Sequence, residues 1–285
     1  MNLIVSSMYD FSSFLTKNLD PRLADWPLMS KPLLTLAISL LYIYIVKILG
    51  PALMENRKPF QLKKTLFVYN LFQVIFSSWL FYRFASGGWL TGEYNFICQP
   101  LDTSTSPQAL MMVSSMYWYF ISKYTEFLDT IFFVMRKKYQ QITTLHVIHH
   151  GIMPFGAWIA AAYSPGGQVT FVPLLNTFVH IIMYSYYLLS ALGPEIQKYL
   201  WWKKYLTGLQ ITQFIAVIIQ SSQPLFIECP YPKAISYWVT CETGLFLYLF
   251  KKFYDGAYNK KQTGGASSEE VSEKPWRQKA EKKTH

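Results

Sequence analysis

Seven stretches of the chain are apolar over about the length of a bilayer crossing, and short polar or basic segments separate them. They fall at residues 33–49, 65–85, 110–135, 145–162, 169–192, 205–223 and 235–253. A helix needs about 20 mostly apolar residues to cross hydrocarbon, so each stretch is read as a span. Lipid offers no partner to an exposed peptide group, which restricts spans to helices or a closed barrel. The apolar positions run continuously instead of alternating, so the pattern predicts helices and an all-α integral membrane protein with seven transmembrane helices. Residues 1–32 form a preceding segment, 33–253 the helical domain and 254–285 a polar tail.

The intervening loops alternate in charge. The first carries Arg57, Lys58, Lys63 and Lys64, the third Arg136, Lys137 and Lys138, and the fifth Lys198, Lys203 and Lys204. The second has no Lys or Arg and holds Glu93 and Asp102, the fourth has none, and the sixth has only Lys233. Basic loops stay in the cytosol, so loops one, three and five and the C-terminus are expected there, with the N-terminus in the lumen. The composition fits this reading. Hydrophobic residues make up 52% of the chain and charged residues 15%, against about 25% charged in soluble domains. That excludes a disordered chain, a supercharged tail protein and most soluble enzymes. The formal net charge of +10 is explained by orientation and anionic headgroups better than by nucleic acid, because the basic residues cluster between spans. The opening MNLIVSSMYD lacks the basic stretch and apolar core of a signal peptide.

The tail is expected to be disordered from Asn259 onward. It ends in Lys282, Lys283, Thr284 and His285, and the two lysines match the dilysine retrieval signal of endoplasmic reticulum membrane proteins, although a lysine-rich tail also arrives at this ending by accident. Cys98 and Cys229 lie in the two loops assigned to an oxidising lumen, which predicts a Cys98–Cys229 disulfide. Spacing alone leaves two free thiols equally open. Cys241 falls inside the last span and is expected to be a small core residue.

Charged side chains inside a span cost about 2.5 to 3.5 kcal/mol each at its centre. Span three nevertheless holds Lys123, Glu126 and Asp129, at offsets that share one helix face. Two readings stand side by side: a structural ion-pair ladder, or groups that organise a buried site. Histidine is sharper. His146, His149 and His150 share a face of span four, and the other internal histidine, His180, lies in span five. Span five adds Asn176, Met183, Tyr184 and Tyr187 along the same stripe, and span six adds Thr207, Gln210 and Gln213. A single polar stripe is explained by helix–helix glue. Stripes on four adjacent spans predict a shared polar chamber near the cytosolic side, with Met183 and the tyrosines as lining.

Two chemistries compete for the histidines. HxxHH also occurs in membrane di-iron desaturases and hydroxylases, but a di-metal site asks for about eight imidazole or carboxylate ligands. Four internal histidines with Glu126 and Asp129 leave two irons under-ligated, while a single zinc stays open. The alternative is acyl transfer, with a neutral imidazole attacking a thioester and a second one as general base. Asn, Gln and Tyr donors suit the developing oxyanion. A seven-helix transporter is a third class. It predicts inverted repeats or broken helices, and the halves show no internal sequence similarity.

KYTEFLDT resembles a KxxExxDT box, HVIHH an HxxHH box, HIIMYSYY an HxxMYxYY box and TGLQITQ a TxxQxxQ box. Together and in this order they resemble the very-long-chain fatty acid elongases of the ELO family, and no motif position departs from the pattern. The resemblance implies a 3-oxoacyl-CoA synthase of the endoplasmic reticulum that condenses malonyl-CoA with a long-chain acyl-CoA, lengthening it by two carbons. It implies spans two to seven arranged as a helical barrel around an acyl tunnel, and no metal or redox cofactor. Expected partners are acyl-CoA, malonyl-CoA, membrane lipid, further copies of the chain and the other elongation-cycle enzymes, with no nucleic acid. On this reading His149 is the nucleophile, His146 and His150 orient it, and His180 with Asn176 positions the malonyl group. Lys123, Glu126 and Asp129 shape the site. Arg136, Lys137, Lys203 and Lys204 either attract CoA phosphates or simply set orientation.

Overall fold

The computed structural model describes residues 12–259. The dilysine pair Lys282–Lys283 and His285 lie outside the described residues, as do most of the polar tail and residues 1–11. Among the described residues there is no strand, and eight principal helices carry the fold: α1 Pro32–Met54, α2 Lys63–Phe84, α3 Pro107–Thr125, α4 Phe127–Met135, α5 Thr144–Tyr163, α6 Phe171–Ala191, α7 Lys203–Phe226 and α8 Lys233–Tyr254. Three stretches are long and apolar enough to cross a membrane by length and composition: Pro32–Met54, Lys63–Trp89 and Gly167–Ala191. Helices α3, α5 and α7 carry the lysine, histidine and glutamine stripes, which lower their mean hydropathy.

Local chemistry sets the helix ends. Ser106 accepts a hydrogen bond from the Ala109 amide, with Pro107 in the first turn of α3. Thr143 does the same for the amide of His146 at 3.2 Å, so the helix that carries HVIHH starts from a capped, fixed turn. Lysine and arginine account for none of the residues between Ser86 and Ala109, and this loop instead builds a cap over one end of the bundle. Cys98 and Cys229 are joined there by a disulfide that bridges 131 residues of sequence. Gln168 holds the same cap together, since its amide donates to the Gln99 carbonyl at 2.9 Å and its side chain donates to the Gln220 carbonyl at 2.9 Å. Arg22 reaches the carbonyls of Asp102 and Ser104 at 2.9 and 2.8 Å. The carboxyl of Asp102 accepts from the Ser104 amide and hydroxyl, which hold it below the usual carboxylate range.

Two sequence expectations are corrected. Span three is not continuous: α3 ends at Thr125 and α4 begins at Phe127, with Glu126 at φ −68° and ψ −17° between them. The Glu126 carbonyl accepts from the Asp129 amide three residues on, a tightened turn that interrupts the α-helical ladder. Cys241 is exposed, not in the core. The buried face of α8 runs through Ile235, Ser236, Val239, Thr243 and Phe246, and Cys241 sits on the other side of that helix.

Side-chain packing follows the apolar pattern. Helix α2 lies along α6, α6 along α7, α7 along α8, α8 against α5, α5 against α3, and α3 against α2, while α1 packs outside on α5 and on the end of α4. The largest apolar cluster, with Trp89, Trp158, Met112, Met116 and Phe120, fills the space beneath the capped end.

Candidate active site

Five of these helices, α3, α5, α6, α7 and α8, wall a cavity. Its apolar lining includes Met153, Val172, Val217 and Phe246, and its polar side chains are Tyr119, His149, Asn176, Gln213, Glu242 and Thr243. Each histidine of HVIHH has a different position. His149 faces the cavity and sits 4.9 Å, centroid to centroid, from the Phe246 ring. His150 packs edge-on behind it at 5.1 Å and also touches the His146 ring at 4.5 Å. His146 turns away from the cavity, where its Nε2 lies 2.8 Å from the Thr130 hydroxyl, which in turn meets the Tyr42 hydroxyl at 2.8 Å.

A second constellation lies across from His149. Lys123 and Glu126 are each 2% exposed, and Nζ meets Oε1 at 2.6 Å. The other Glu126 oxygen, Oε2, has no hydrogen-bond partner. Lys123 Nζ also donates to Asn176 Oδ1 at 3.0 Å, and Tyr119 OH donates to the same oxygen at 3.1 Å. Two donors on Oδ1 fix the orientation of the Asn176 amide, so Nδ2 is the group that approaches His180 Nε2 at 3.3 Å. His180 Nε2 is then the acceptor, and its proton sits on Nδ1, 3.4 Å from Glu126 Oε1. The network thus assigns one tautomer to His180 and occupies its only lone pair.

The remaining sequence candidates fall at the edge of this network or elsewhere. Asp129 does not join the Lys123–Glu126 pair. It accepts from Tyr184 OH at 2.7 Å, and Tyr184 packs on His180 at 5.6 Å and on Tyr187 at 6.0 Å. Gln210 donates to Met183 Sδ at 3.5 Å, whereas Gln213 lines the cavity with its Oε1 buried and unpartnered. Lys137 donates to the Glu55 carbonyl at 3.0 Å, and Lys204 lies over the Tyr254 ring. Arg136 is half-buried and Lys203 exposed, at the end of the bundle opposite the disulfide cap. No group of three or more His, Cys, Asp or Glu among the described residues is placed to hold a metal ion.

Tyr119 and Glu242 line the cavity and Thr130 bonds to His146, and none of the three stands out as a candidate in the sequence. Tyr119 and Thr130 carry no local signal, since one is an ordinary aromatic and the other the last letter of a box. Glu242 did carry one, as an acidic residue within the apolar stretch 235–253.

The ELO family pattern, described as GNS1/SUR4, matches residues 27–266. The chain belongs to this family of very long chain fatty acid elongases. It is 55% identical over 271 residues to a very long chain fatty acid elongase of Aedes aegypti, covering 95% of this chain and 76% of the relative. It is 56% identical to the very long chain fatty acid elongase 7 of Drosophila melanogaster, over 85% of this chain and 74% of that one. Against the elongase 7 of Rattus norvegicus the identity is 50%, over 86% and 88%. The chain is therefore a membrane enzyme of fatty acid elongation, and all four sequence boxes lie inside the matched region.

Proposed function

We propose that this elongase condenses malonyl-CoA with a long-chain or very-long-chain acyl-CoA to give the 3-oxoacyl-CoA two carbons longer. The observation that carries the reading is the position of His149: it is the histidine that lines the apolar cavity, and the His180 lone pair is already taken by Asn176. In the first half-reaction a nitrogen of neutral His149 attacks the thioester carbonyl, the C–S bond breaks, and CoA leaves as the thiol with the proton that the acylated ring gives up. Malonyl-CoA then loses carbon dioxide, and the electron pair of the broken C–C bond becomes an enolate. The enolate attacks the acyl carbon, the N–C bond breaks, and the released nitrogen takes up one proton from solvent, which restores His149.

Placement of the other groups supports this division of labour. His150 packs edge-on against His149 and holds its ring, and His146 backs His150. Asn176, oriented by Lys123 and Tyr119, and His180, oriented by Glu126, form the facing wall where the malonyl group is positioned. Asp129 with Tyr184, and Gln210 with Met183, brace that wall. The cycle of helix contacts from α2 through α6, α7, α8, α5 and α3 fits a barrel around an acyl tunnel, crossed by seven helices in all with α1 outside. The capped end closes the tunnel, and CoA enters from the other end, where Arg136, Lys137, Lys203 and Lys204 lie. That end faces the cytosol of the endoplasmic reticulum membrane and the N-terminus faces the lumen. Residues 254–285 supply the cytosolic retrieval tail.

Intact-mass analysis of the purified protein incubated with acyl-CoA alone tests the covalent step. An adduct of one acyl group is expected, and His149→Ala abolishes it. No adduct, or one that persists in His149→Ala, sinks the assignment.

A further inference from the structure

Helix α1 packs outside the helices that wall the cavity, yet one of its side chains ends among the histidines. Tyr42 is 3% exposed. Its ring stacks on Phe127, the first residue of α4, at 4.1 Å and 14°, and its hydroxyl meets Thr130 Oγ1 at 2.8 Å. Thr130, itself fully buried, lies 2.8 Å from His146 Nε2. From there the rings run inward, His146 to His150 at 4.5 Å and His150 to His149 at 5.1 Å. Nothing in the proposed chemistry uses Tyr42, which stands in the apolar run 40–46.

Proton count fixes the direction of these bonds. Thr130 Oγ1 carries one hydrogen, and among the described residues its hydrogen-bond partners are Tyr42 and His146, with no backbone carbonyl. It therefore donates to one of them and accepts from the other. The Tyr42 hydroxyl has Thr130 alone as partner among the described residues. Were Thr130 the donor to Tyr42, the phenol hydrogen would point into the packed bundle at the full desolvation cost of a buried donor. Tyr42 thus donates to Thr130, and the Thr130 hydrogen goes to His146 Nε2. That nitrogen is then the bare one of a neutral imidazole whose proton sits on Nδ1. A ring tied in this way is fixed both in tautomer and in rotation about its Cβ–Cγ bond.

We infer that Tyr42 is a positioning residue for the acyl-transfer step: through Thr130 it locks the tautomer and ring plane of His146, which backs His150 and so sets His149 for attack. The inference rests on the reading of His149 as the nucleophile. Tyr42 does not line the cavity, so its hydroxyl acts on the rate of the step by preorganisation and leaves substrate affinity alone. In Tyr42→Phe the stack on Phe127 remains and only the oxygen is lost. Without that oxygen to hold it, the Thr130 hydroxyl is free to turn back to a carbonyl one turn earlier in α4, and His146 loses the donor that fixed it.

Nitrogen NMR of the full-length protein in lipid, with isotope-labelled histidine and the His146 signals assigned by their loss in His146→Gln, reads the tautomer. The native protein is expected to show His146 bare at Nε2 and protonated at Nδ1, and Tyr42→Phe to show a mixture of tautomers. A native His146 protonated at Nε2, or signals unmoved by Tyr42→Phe, overturns the inference. The rate of acyl adduct formation with acyl-CoA alone, followed by intact mass on quenched samples, reads the consequence. Tyr42→Phe is expected to lower the saturated rate about three- to tenfold, the worth of one hydrogen bond, with the half-saturating acyl-CoA concentration unchanged. Thr130→Val is expected to lose as much, and Tyr42→Phe/Thr130→Val no more than Thr130→Val alone. Ser39→Ala, which removes a buried and unpartnered hydroxyl from the same helix, keeps the native rate. A native rate in Tyr42→Phe, additive losses in the double variant, or an equal loss in Ser39→Ala overturns the inference as well. If the native protein forms no adduct, the His149 reading falls, and the tautomer measurement alone then decides whether Tyr42 fixes His146.

Discussion

The Lys123–Glu126 pair illustrates how much a single buried contact carries here. Both side chains are almost fully enclosed, and between them they hold Asn176 and His180 in place. Removing one partner leaves an uncompensated buried charge, which costs about 3–5 kcal/mol, whereas replacing both with apolar groups is often close to neutral for stability. Lys123→Met and Glu126→Gln are each expected to lower the thermal midpoint in detergent sharply. The double variant Lys123→Met/Glu126→Leu should recover much of that midpoint and still lack elongation, because Asn176 and His180 lose their orienting partners. Thermal unfolding beside a turnover assay separates the two effects. A double variant as unstable as the singles shows that the pair acts through other contacts. At this scale the sequence was informative wherever the chemistry was unusual: lysine, glutamate and histidine inside apolar runs announced themselves by their cost. Tyr119 was illegible because a tyrosine in an aromatic-rich helix has no such cost. The tautomer of His180 was illegible because it depends on an amide one turn away on α6 and a carboxylate at the break between α3 and α4.

Among the elements, the join of α1 and α4 shows why a helix end needs a particular residue. Helix α1 passes through a π-helical turn at Ile45–Leu49 before Gly50, and a Cβ at position 50 would come within 2.7 Å of the Ile45 carbonyl oxygen and 2.8 Å of Val134 Cγ1 on α4. Gly50→Ala is therefore expected to destabilise by about 1–3 kcal/mol through overpacking. Gly208, on α7, has nothing within 4 Å of the corresponding position, so Gly208→Ala should be neutral or stabilising by up to about 1 kcal/mol through reduced backbone freedom. Denaturation midpoints of the two variants, measured side by side, check the contrast, and equal effects would refute it. Hydrophobic periodicity located the helices within a few residues because continuous apolar runs have few alternatives in lipid. It missed the break at Glu126, where a tertiary network replaces local helical pairing, and it put Cys241 on the wrong face because a run apolar all round does not say which side packs inward.

For the whole molecule, the capped end ties together segments far apart in sequence. The Cys98–Cys229 bond joins the loop before α3 to the loop before α8, and Cys241 is the remaining cysteine of three. Alkylation under denaturing conditions is expected to modify one thiol before reduction and three after it, read by intact mass. Cys98→Ser/Cys229→Ser should lose about 2–5 kcal/mol of stability. Three modified thiols without reduction would contradict the cap as described. The order of packing was not readable from the chain, because α2 lies against α6 and α5 against α8, and apolar faces match many partners equally well.

That order bears on how the chain is made. Asn176 comes 53 residues after the lysine that binds it, and Phe246, which covers His149, comes later still. A nascent chain that ends after α5 and before α8 holds the ionic and imidazole groups of α3 and α5 before their cover exists. Products that end between α5 and α8 therefore leave those groups without their finished cover, a mark by which incomplete copies differ physically from complete ones.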